Sequence, residues 1–135
     1  YSVYLQERID RYEKFSNIAY NCLKDVKGVV VNRPNGAFYM SVCFVEGMLT
    51  QRQTLEIKNK EVRKLVELLV SEEGTSPDKR FVYYLLGATG VCVVPLSSFA
   101  TDLQGFRVTL LERDEKEFLK IFKTIGTAIE SYLKS

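Results

Sequence analysis

Residues 105–111 read Gly-Phe-Arg-Val-Thr-Leu-Leu, and this stretch decides the fold and contains the main candidate site residue. In a β-strand, alternate side chains point to opposite faces, so Phe106, Val108 and Leu110 share one apolar face. Arg107 then lies on the other face. The pattern predicts a strand over 105–111 that covers a core with one face and presents an arginine on the other.

An arginine on a strand between bulky apolar neighbours needs an anionic partner. The planar guanidinium of Arg107 suits a carboxylate that accepts two parallel hydrogen bonds. The alternative is a surface salt bridge with a nearby acid, such as Glu112 or Asp102. The strand position alone does not decide between these two interpretations.

Helical and strand patterns alternate along the rest of the chain. Apolar residues spaced by three, four or seven predict a long first helix over Val3–Val26, which Lys27 and Gly28 end. In chain order, the pattern then predicts strands over 29–31 and 37–45 joined by a turn at 32–36, a loop over 48–58, helices over 60–70 and 76–86, a strand over 91–94, the strand over 105–111 and a final helix from Asp114. The order α-β-β-α-α-β-β-α predicts an α/β two-layer (α+β) sandwich, a small mixed sheet covered by helices mainly on one side.

Each predicted helix has one apolar face that we expect to turn inward. The expected inward residues are Leu5, Ile9, Tyr12, Ala19, Leu23 and Val26 in the first helix, Val62, Leu65, Val66 and Leu69 in the second, and Phe118, Ile121, Phe122, Ile125, Ile129 and Tyr132 in the last. In the third helix, Ser76-Pro77-Asp78 forms the start, and Gly87 and Gly90 are expected to stop it.

Composition indicates one ordinary globular domain over residues 1–135. Hydrophobic residues make up 46% and charged residues 27% of the chain, enough to bury a core without disulfides or metals. The net charge of +2 is too small to indicate a nucleic-acid or membrane surface, and the apolar runs are too short to span a bilayer. We therefore expect no nucleic-acid partner and no membrane segment. The three unpaired cysteines indicate a cytoplasmic location.

The chain contains no histidine and no Cys-x-x-Cys pair, which argues against a zinc site and against Ser-His-Asp or Cys-His nucleophiles. We expect no metal. Cys22, Cys43 and Cys92 each lie among apolar neighbours, so they are expected to be buried, reduced thiols.

Two motifs resemble a known enzyme family. Val-Pro-Leu-Ser-Ser-Phe at 94–99, followed by Gly-Phe-Arg-Val-Thr-Leu at 105–110, is similar to the C-terminal signature of class I/II (fold type I) aminotransferases, which depend on pyridoxal 5'-phosphate. Arg-Pro-Asn-Gly-Ala-Phe-Tyr at 33–39 resembles the Pro-x-Gly-Ala-Phe/Tyr-Tyr start of a strand in the same family. The motifs occur in the family's order, and the resemblance is weakest over 48–75.

The resemblance implies that the chain is the C-terminal small domain of a larger aminotransferase, similar to those for alanine, aspartate or aromatic amino acids. Residues 1–27 would be a long opening helix that continues from the absent large domain, and the start at Tyr1 agrees with an excised piece. The full-length protein would transfer an amino group between an amino acid and a 2-oxo acid, as a homodimer, with pyridoxal 5'-phosphate held by the large domain.

The same resemblance implies roles for particular residues. Arg107 would bind the substrate α-carboxylate, and Phe38 and Tyr39 would lie near the substrate. The family's catalytic lysine and its other cofactor-binding residues belong to the large domain, so none is expected here and the isolated chain is expected to be inactive. Leu96 stands where the family usually has glycine, so the turn after Pro95 is expected to be rebuilt.

Two other functions stay open. One is a stand-alone α/β module that binds a ligand or regulates a partner. The other is a fold type I pyridoxal-phosphate lyase, which would share the small domain but release a different product. The sequence does not indicate the amino donor.

Overall fold

The computed structural model describes residues 2–32, 39–99, 102–110 and 114–135. The helices in these ranges are α1 (Ser2–Leu23), α2 (Lys60–Val70), α3 (Pro77–Thr89) and α4 (Glu115–Lys134). The strands are β1 (Val29–Val31), β2 (Tyr39–Phe44), β3 (Val94–Pro95) and β4 (Gly105–Thr109), with a 3-10 helix (Leu96–Phe99) between β3 and β4. Within the described ranges, no helix combines the length and the apolar character needed to cross a bilayer.

The four strands form one sheet in the order β1-β2-β4-β3. Val42 of β2 lies opposite Phe106 of β4, and these two side chains are buried beneath the helices. The predicted two-layer α/β fold is confirmed. All described strand pairs are antiparallel rather than mixed. The short connections from β1 to β2 and from β3 to β4 allow only antiparallel neighbours, and β2 and β4, which are joined through α2 and α3, are antiparallel as well.

Aromatic side chains join the sheet to the helices above it. The Phe81 ring of α3 lies 5.5 Å from the Phe106 ring of β4 and 5.0 Å from the Tyr132 ring of α4, measured between centroids. Phe15 of α1 stacks on Phe118 of α4 at 4.5 Å. Each fully buried ring of this kind stabilises the fold by about 2–3 kcal/mol through removal of apolar surface from water.

Burial of Tyr132 has an electrostatic consequence. Burial raises the pKa of the Tyr132 hydroxyl to about 12, because the anion loses its hydration inside the protein, and the positive charge of Arg80 opposes this shift only in part. The hydroxyl therefore stays neutral until the solution is strongly alkaline.

Side-chain caps define the starts of two helices. The Asn59 carboxamide accepts hydrogen bonds from the backbone N–H groups of Glu61 and Val62 at 3.0 and 3.1 Å, which begins α2. The Asp114 carboxylate accepts from the N–H of Lys116 at 2.9 Å and of Glu117 at 3.5 Å, as the predicted start of α4 requires.

The end of α3 differs from the prediction. Gly87 lies inside the helix, and only Gly90 ends it, in the left-handed conformation with φ 79°. A Cβ at position 87 would lie 2.9 Å from side-chain carbons of Ile57 and Val66, so this glycine allows α2 and the preceding loop to approach α3. The local rule that glycine stops a helix is outweighed there by close packing between elements.

The predicted strand over 91–94 is also wrong in its bounds. Strand β3 consists of Val94 and Pro95, which pair with Arg107 and Phe106. Because α3 extends to Thr89, the residues that follow it cross from the helix layer to the sheet edge before pairing begins. Strand β4 ends at Thr109, after which Leu110 is still buried, while Leu111 lies outside the described residues. Strand β2 ends at Phe44, one residue earlier than expected.

Parts of the predicted inward faces are exposed. The buried residues of α1 begin at Phe15, whereas Leu5 and Ile9 are exposed, Ile9 to 57%. In α2 the buried residues are Val66 and Val70, and Leu65 is 55% exposed. The apolar stripe predicted the helices correctly, but the position of the covering elements decides which part of each stripe is buried. The inward face of α4 is confirmed.

The cysteines divide into two classes. Cys22 and Cys43 are half-buried, and burial raises the pKa of both thiols, with Lys123 opposing the shift at Cys22. Cys92 is exposed, so the expectation that all three are buried was wrong. The reason is that Cys92 lies in the crossing segment between α3 and β3.

Candidate functional site

None of the described helices covers the second face of the sheet, and we call this the open face. It is formed by the strand residues that point away from the core: Val30, Tyr39, Ser41, Cys43, Val94, Arg107 and Thr109. Val30, Tyr39 and Val94 are exposed, whereas their strand neighbours on the opposite face, such as Met40 and Phe106, are buried. Within β4, Phe106 and Val108 are buried, Arg107 is half-buried and Thr109 is exposed, which confirms the predicted alternation.

Arg107 lies near the centre of the open face. Its strand, β4, runs between β2 and β3, and Arg107 is directly opposite Ser41 on one side and Val94 on the other. The residue is half-buried. Strands β2 and β3 therefore flank the base of the Arg107 side chain, and the guanidinium lies on the side of the sheet away from the helices.

The Tyr39 ring covers the flat side of this guanidinium. The Cζ atom of Arg107 lies 4.0 Å from the ring centroid, a close cation–π contact. Tyr39 is opposite Thr109 in the register, so it reaches Arg107 along the diagonal of the sheet. Stacking restrains the guanidinium plane, while the N–H donors point within that plane, where a carboxylate binds.

Gly105 sets the spacing of the strands beneath the site. A Cβ at this position would lie 2.0 Å from the carbonyl oxygen of Val42 and 2.9 Å from Cα of Cys43. Only glycine allows β4 to approach β2 this closely. In the observed register, Gly105 lies opposite Cys43 and Arg107 lies opposite Ser41.

A buried carboxylate, Asp78, holds the start of β4, although the sequence pattern predicts only that it lies in the first turn of α3. Asp78 is 0% exposed. It accepts hydrogen bonds from the hydroxyls of Ser76 at 2.6 Å and Ser97 at 2.7 Å, and from the backbone N–H groups of Ser97 at 2.9 Å and Gly105 at 3.3 Å. The hydrogen bonds that Asp78 accepts from Ser97 and Gly105 have no local sequence signature that could have identified them.

The structure brings together two of the three predicted site residues. Arg107 and Tyr39 are in contact on the open face, and Phe38 lies outside the described residues. Glu112, one of the acids considered as a salt-bridge partner for Arg107, also lies outside them. Leu96, which replaces the glycine usual in the similar family, is buried at the start of the 3-10 helix, so its side chain fills interior space.

The cofactor expected from the resemblance has no attachment point on the open face. None of the four described strands contains a lysine, the residue type that binds pyridoxal phosphate covalently. In the described part of the chain, no cluster of three His, Cys, Asp or Glu residues could hold a metal ion.

Comparison with known proteins identifies two related sequences. No family model matches the chain. The chain is 49% identical over 135 residues, its whole length, to an uncharacterized aminotransferase from Methanocaldococcus jannaschii, of which it covers 31%. It is 33% identical over 120 residues, 85% of its length, to a probable alanine aminotransferase, mitochondrial, from Dictyostelium discoideum, of which it covers 20%. This chain is related to aminotransferases.

The chain spans about a third of the length of the first aminotransferase relative and a fifth of the second. The similarity therefore indicates a piece of an aminotransferase, and at that level the resemblance found in the sequence is confirmed. Class, fold type and the place of the domain within the aminotransferase stay predictions.

Proposed function

We propose that this chain is the C-terminal small domain of a class I/II, fold type I aminotransferase dependent on pyridoxal 5'-phosphate, in which Arg107 binds the substrate α-carboxylate. The supporting observation is the stacked Arg107–Tyr39 pair on the open face of a chain related to aminotransferases. Tyr39, and Phe38 by the same resemblance, would line the substrate side of the site.

The geometry of Arg107 supports this proposed role. A guanidinium donates two parallel hydrogen bonds to one carboxylate, which fixes both the position and the plane of the substrate. Tyr39 restricts rotation of the guanidinium before substrate arrives, so less freedom is lost on binding. Pyridoxal phosphate, held by the rest of the protein, would act as the electron sink for amino-group transfer. Arg107 would hold the amino acid in one orientation, with its reacting bonds aligned with respect to that cofactor.

Exposed apolar surface supports the assignment to a longer protein. Val30 and Val94 are exposed on the open face, and Val3, Leu5 and Ile9 are exposed in the first half of α1. Exposed apolar residues grouped in this way mark surfaces that contact another domain or subunit. We propose that the large domain covers them and that the small domain closes the active site against it. A homodimer in the cytoplasm remains our prediction for the full-length protein.

The test uses the full-length protein with pyridoxal phosphate, one amino acid at a time (L-alanine, L-aspartate or L-phenylalanine), and 2-oxoglutarate. We expect one of these donors to yield its own 2-oxo acid and glutamate in equal amounts. Formation of ammonia or carbon dioxide without glutamate would instead indicate lyase or decarboxylase chemistry. Absence of any reaction together with absence of cofactor binding would support a binding or regulatory module.

A second experiment tests whether the isolated chain lacks the cofactor site. The 135-residue chain is mixed with pyridoxal phosphate, reduced with borohydride and digested for mass spectrometry. We expect only scattered, substoichiometric labelling of surface lysines. Stoichiometric labelling of one lysine, or measurable transamination, would contradict the proposed division of roles between domains.

A further inference from the structure

Asp78 is the one charged residue among the described residues whose side chain is fully buried together with its backbone. A buried carboxylate costs free energy unless hydrogen bonds replace its hydration. Four donors do so here, two hydroxyls and two backbone amides. Oδ1 accepts from both serine hydroxyls, and Oδ2 accepts from both amides, so the two oxygens have separate tasks.

The amide bonds connect the carboxylate to the site. Ser97 lies in the 3-10 helix after β3, and Gly105 is the first residue of β4, two positions before Arg107. Both N–H groups point to Oδ2 of Asp78, so one oxygen holds the two ends of the segment that links β3 to β4. The Asp78 amide also donates to Oε1 of Gln104 at 3.1 Å, which adds a second bond between α3 and this strand end.

We propose that Asp78 is a positioning residue for Arg107. By holding the amides of Ser97 and Gly105, it fixes the start of β4 relative to α3 and thereby the direction in which the guanidinium leaves the sheet. This inference rests on the proposed role of Arg107. Hydrogen bonds to a carboxylate are charge-assisted and directional, so they define a strand position more narrowly than apolar packing does.

Because the two carboxylate oxygens accept from different donors, we expect substitutions at Asp78 to have graded effects on KM. In Asp78→Asn, the carboxamide oxygen can still accept from the two amides, while its NH₂ group can donate to the serine hydroxyls, which rotate to accept. The amide bonds persist but lose their charge assistance. Asp78→Ala removes both carboxylate acceptors, so the amides of Ser97 and Gly105 lose their bonds to α3, and only the backbone bond from residue 78 to Gln104 remains.

The experiment uses steady-state kinetics of the full-length protein with L-alanine and 2-oxoglutarate, or with the donor that proves active. We expect the KM for the amino acid to rise about 3- to 10-fold in Asp78→Asn and roughly 10- to 100-fold in Asp78→Ala, with a smaller change in kcat, because displacement of a binding group by about 1 Å has effects of this size. Asp25→Asn, an exposed acid far along the chain, is the matched control and should leave both constants unchanged.

The double variant separates positioning from general stability. If Asp78 acts through Arg107, then Asp78→Asn added to Arg107→Ala should lower kcat/KM by less than twofold beyond Arg107→Ala alone, since coupled residues are not additive. An independent, additive loss would overturn the inference. If Asp78→Ala does not fold, an unchanged KM in folded Asp78→Asn would overturn it equally. If Arg107→Ala itself retains full activity, the proposed function fails, and the inference fails with it.

Discussion

The two faces of the sheet differ in chemistry although the same strands form both. The covered face carries Met40, Val42, Phe106 and Val108, all buried beneath the helices. Arg107 lies on the open face, between Phe106 and Val108 in the sequence, and stacks on Tyr39. Under the proposed function, adjacent positions of β4 have different roles. Substitutions one residue apart should then damage different properties, folding on the covered face and substrate binding on the open face.

The largest effect is expected at Arg107 in the full-length enzyme. Arg107→Ala removes a charged pair of hydrogen bonds, so kcat/KM for the amino acid should fall by roughly two to four orders of magnitude. The melting temperature should change by about 3 °C or less, because the side chain is not part of the core. Kinetics and thermal melts of the same preparations measure both.

The lysine variant distinguishes a bidentate site from a simple charge. Arg107→Lys should recover little of the lost activity, because an ammonium group cannot reproduce two parallel hydrogen bonds. Near-normal kinetics in Arg107→Ala would instead support the surface salt-bridge interpretation and end the carboxylate-binding proposal.

On the covered face, Phe106→Ala should act on stability. The ring is fully buried and contacts Phe81, so its removal should lower the free energy of unfolding by about 3–5 kcal/mol. Urea denaturation of the 135-residue chain measures this change. Thr109→Ala, on the exposed side of the same strand, is the control and should alter stability by about 0.5 kcal/mol or less. Equal losses in both variants would contradict the division between the faces.

The helix layer above the covered face should respond to alkaline pH through Tyr132. Its pKa, about 12 in the folded protein, exceeds the usual value of 10.0. The folded state therefore retains the proton that the unfolded state loses, and this contribution to stability is complete below pH 10 and disappears as pH rises through about 12. The loss amounts to about 2–3 kcal/mol.

Tyr132→Phe removes this titration. Between pH 9 and 12 the variant should lose about 2–3 kcal/mol less stability than the wild-type chain, as measured by urea denaturation at each pH. Parallel pH profiles for the two proteins would show that the hydroxyl is not shielded from water as the structure indicates.

The smallest effect is expected at the stacked ring. Tyr39→Leu removes a cation–π contact of about 0.5–1 kcal/mol, so kcat/KM in the full-length enzyme should fall about two- to fivefold. Tyr39→Phe keeps the ring and should stay within about twofold of wild type. A larger loss in the phenylalanine variant would assign the role to the hydroxyl rather than to the stack.

Local periodicity was enough to predict the two faces of β4. Side chains alternate between the two faces in every strand, so Arg107 had to lie on the other face of the sheet from Phe106 and Val108, whatever the rest of the chain does. Helix caps such as Asp114 were predictable for the same reason, since cap and amides lie within three residues.

Features that depend on distant residues could not be predicted in this way. Asp78 meets Ser97 and Gly105, which lie 19 and 27 residues away along the chain. Gly87 is a residue type that often ends a helix, yet it lies inside α3, where the lack of a side chain leaves room for Val66 of α2. In α1 the apolar spacing was correct, but only the position of α4 decides that burial begins at Phe15.

The partial covering of α1 has a mechanical consequence. The helix has 22 residues and is about 33 Å long, and its buried residues lie only in the second half. The first half therefore extends about 20 Å from its attachment, like the arm of a lever. A rotation of the attached half by about 10° would move the far end by about 3 Å, so small reorientations of this domain would be amplified at Val3 and Tyr4.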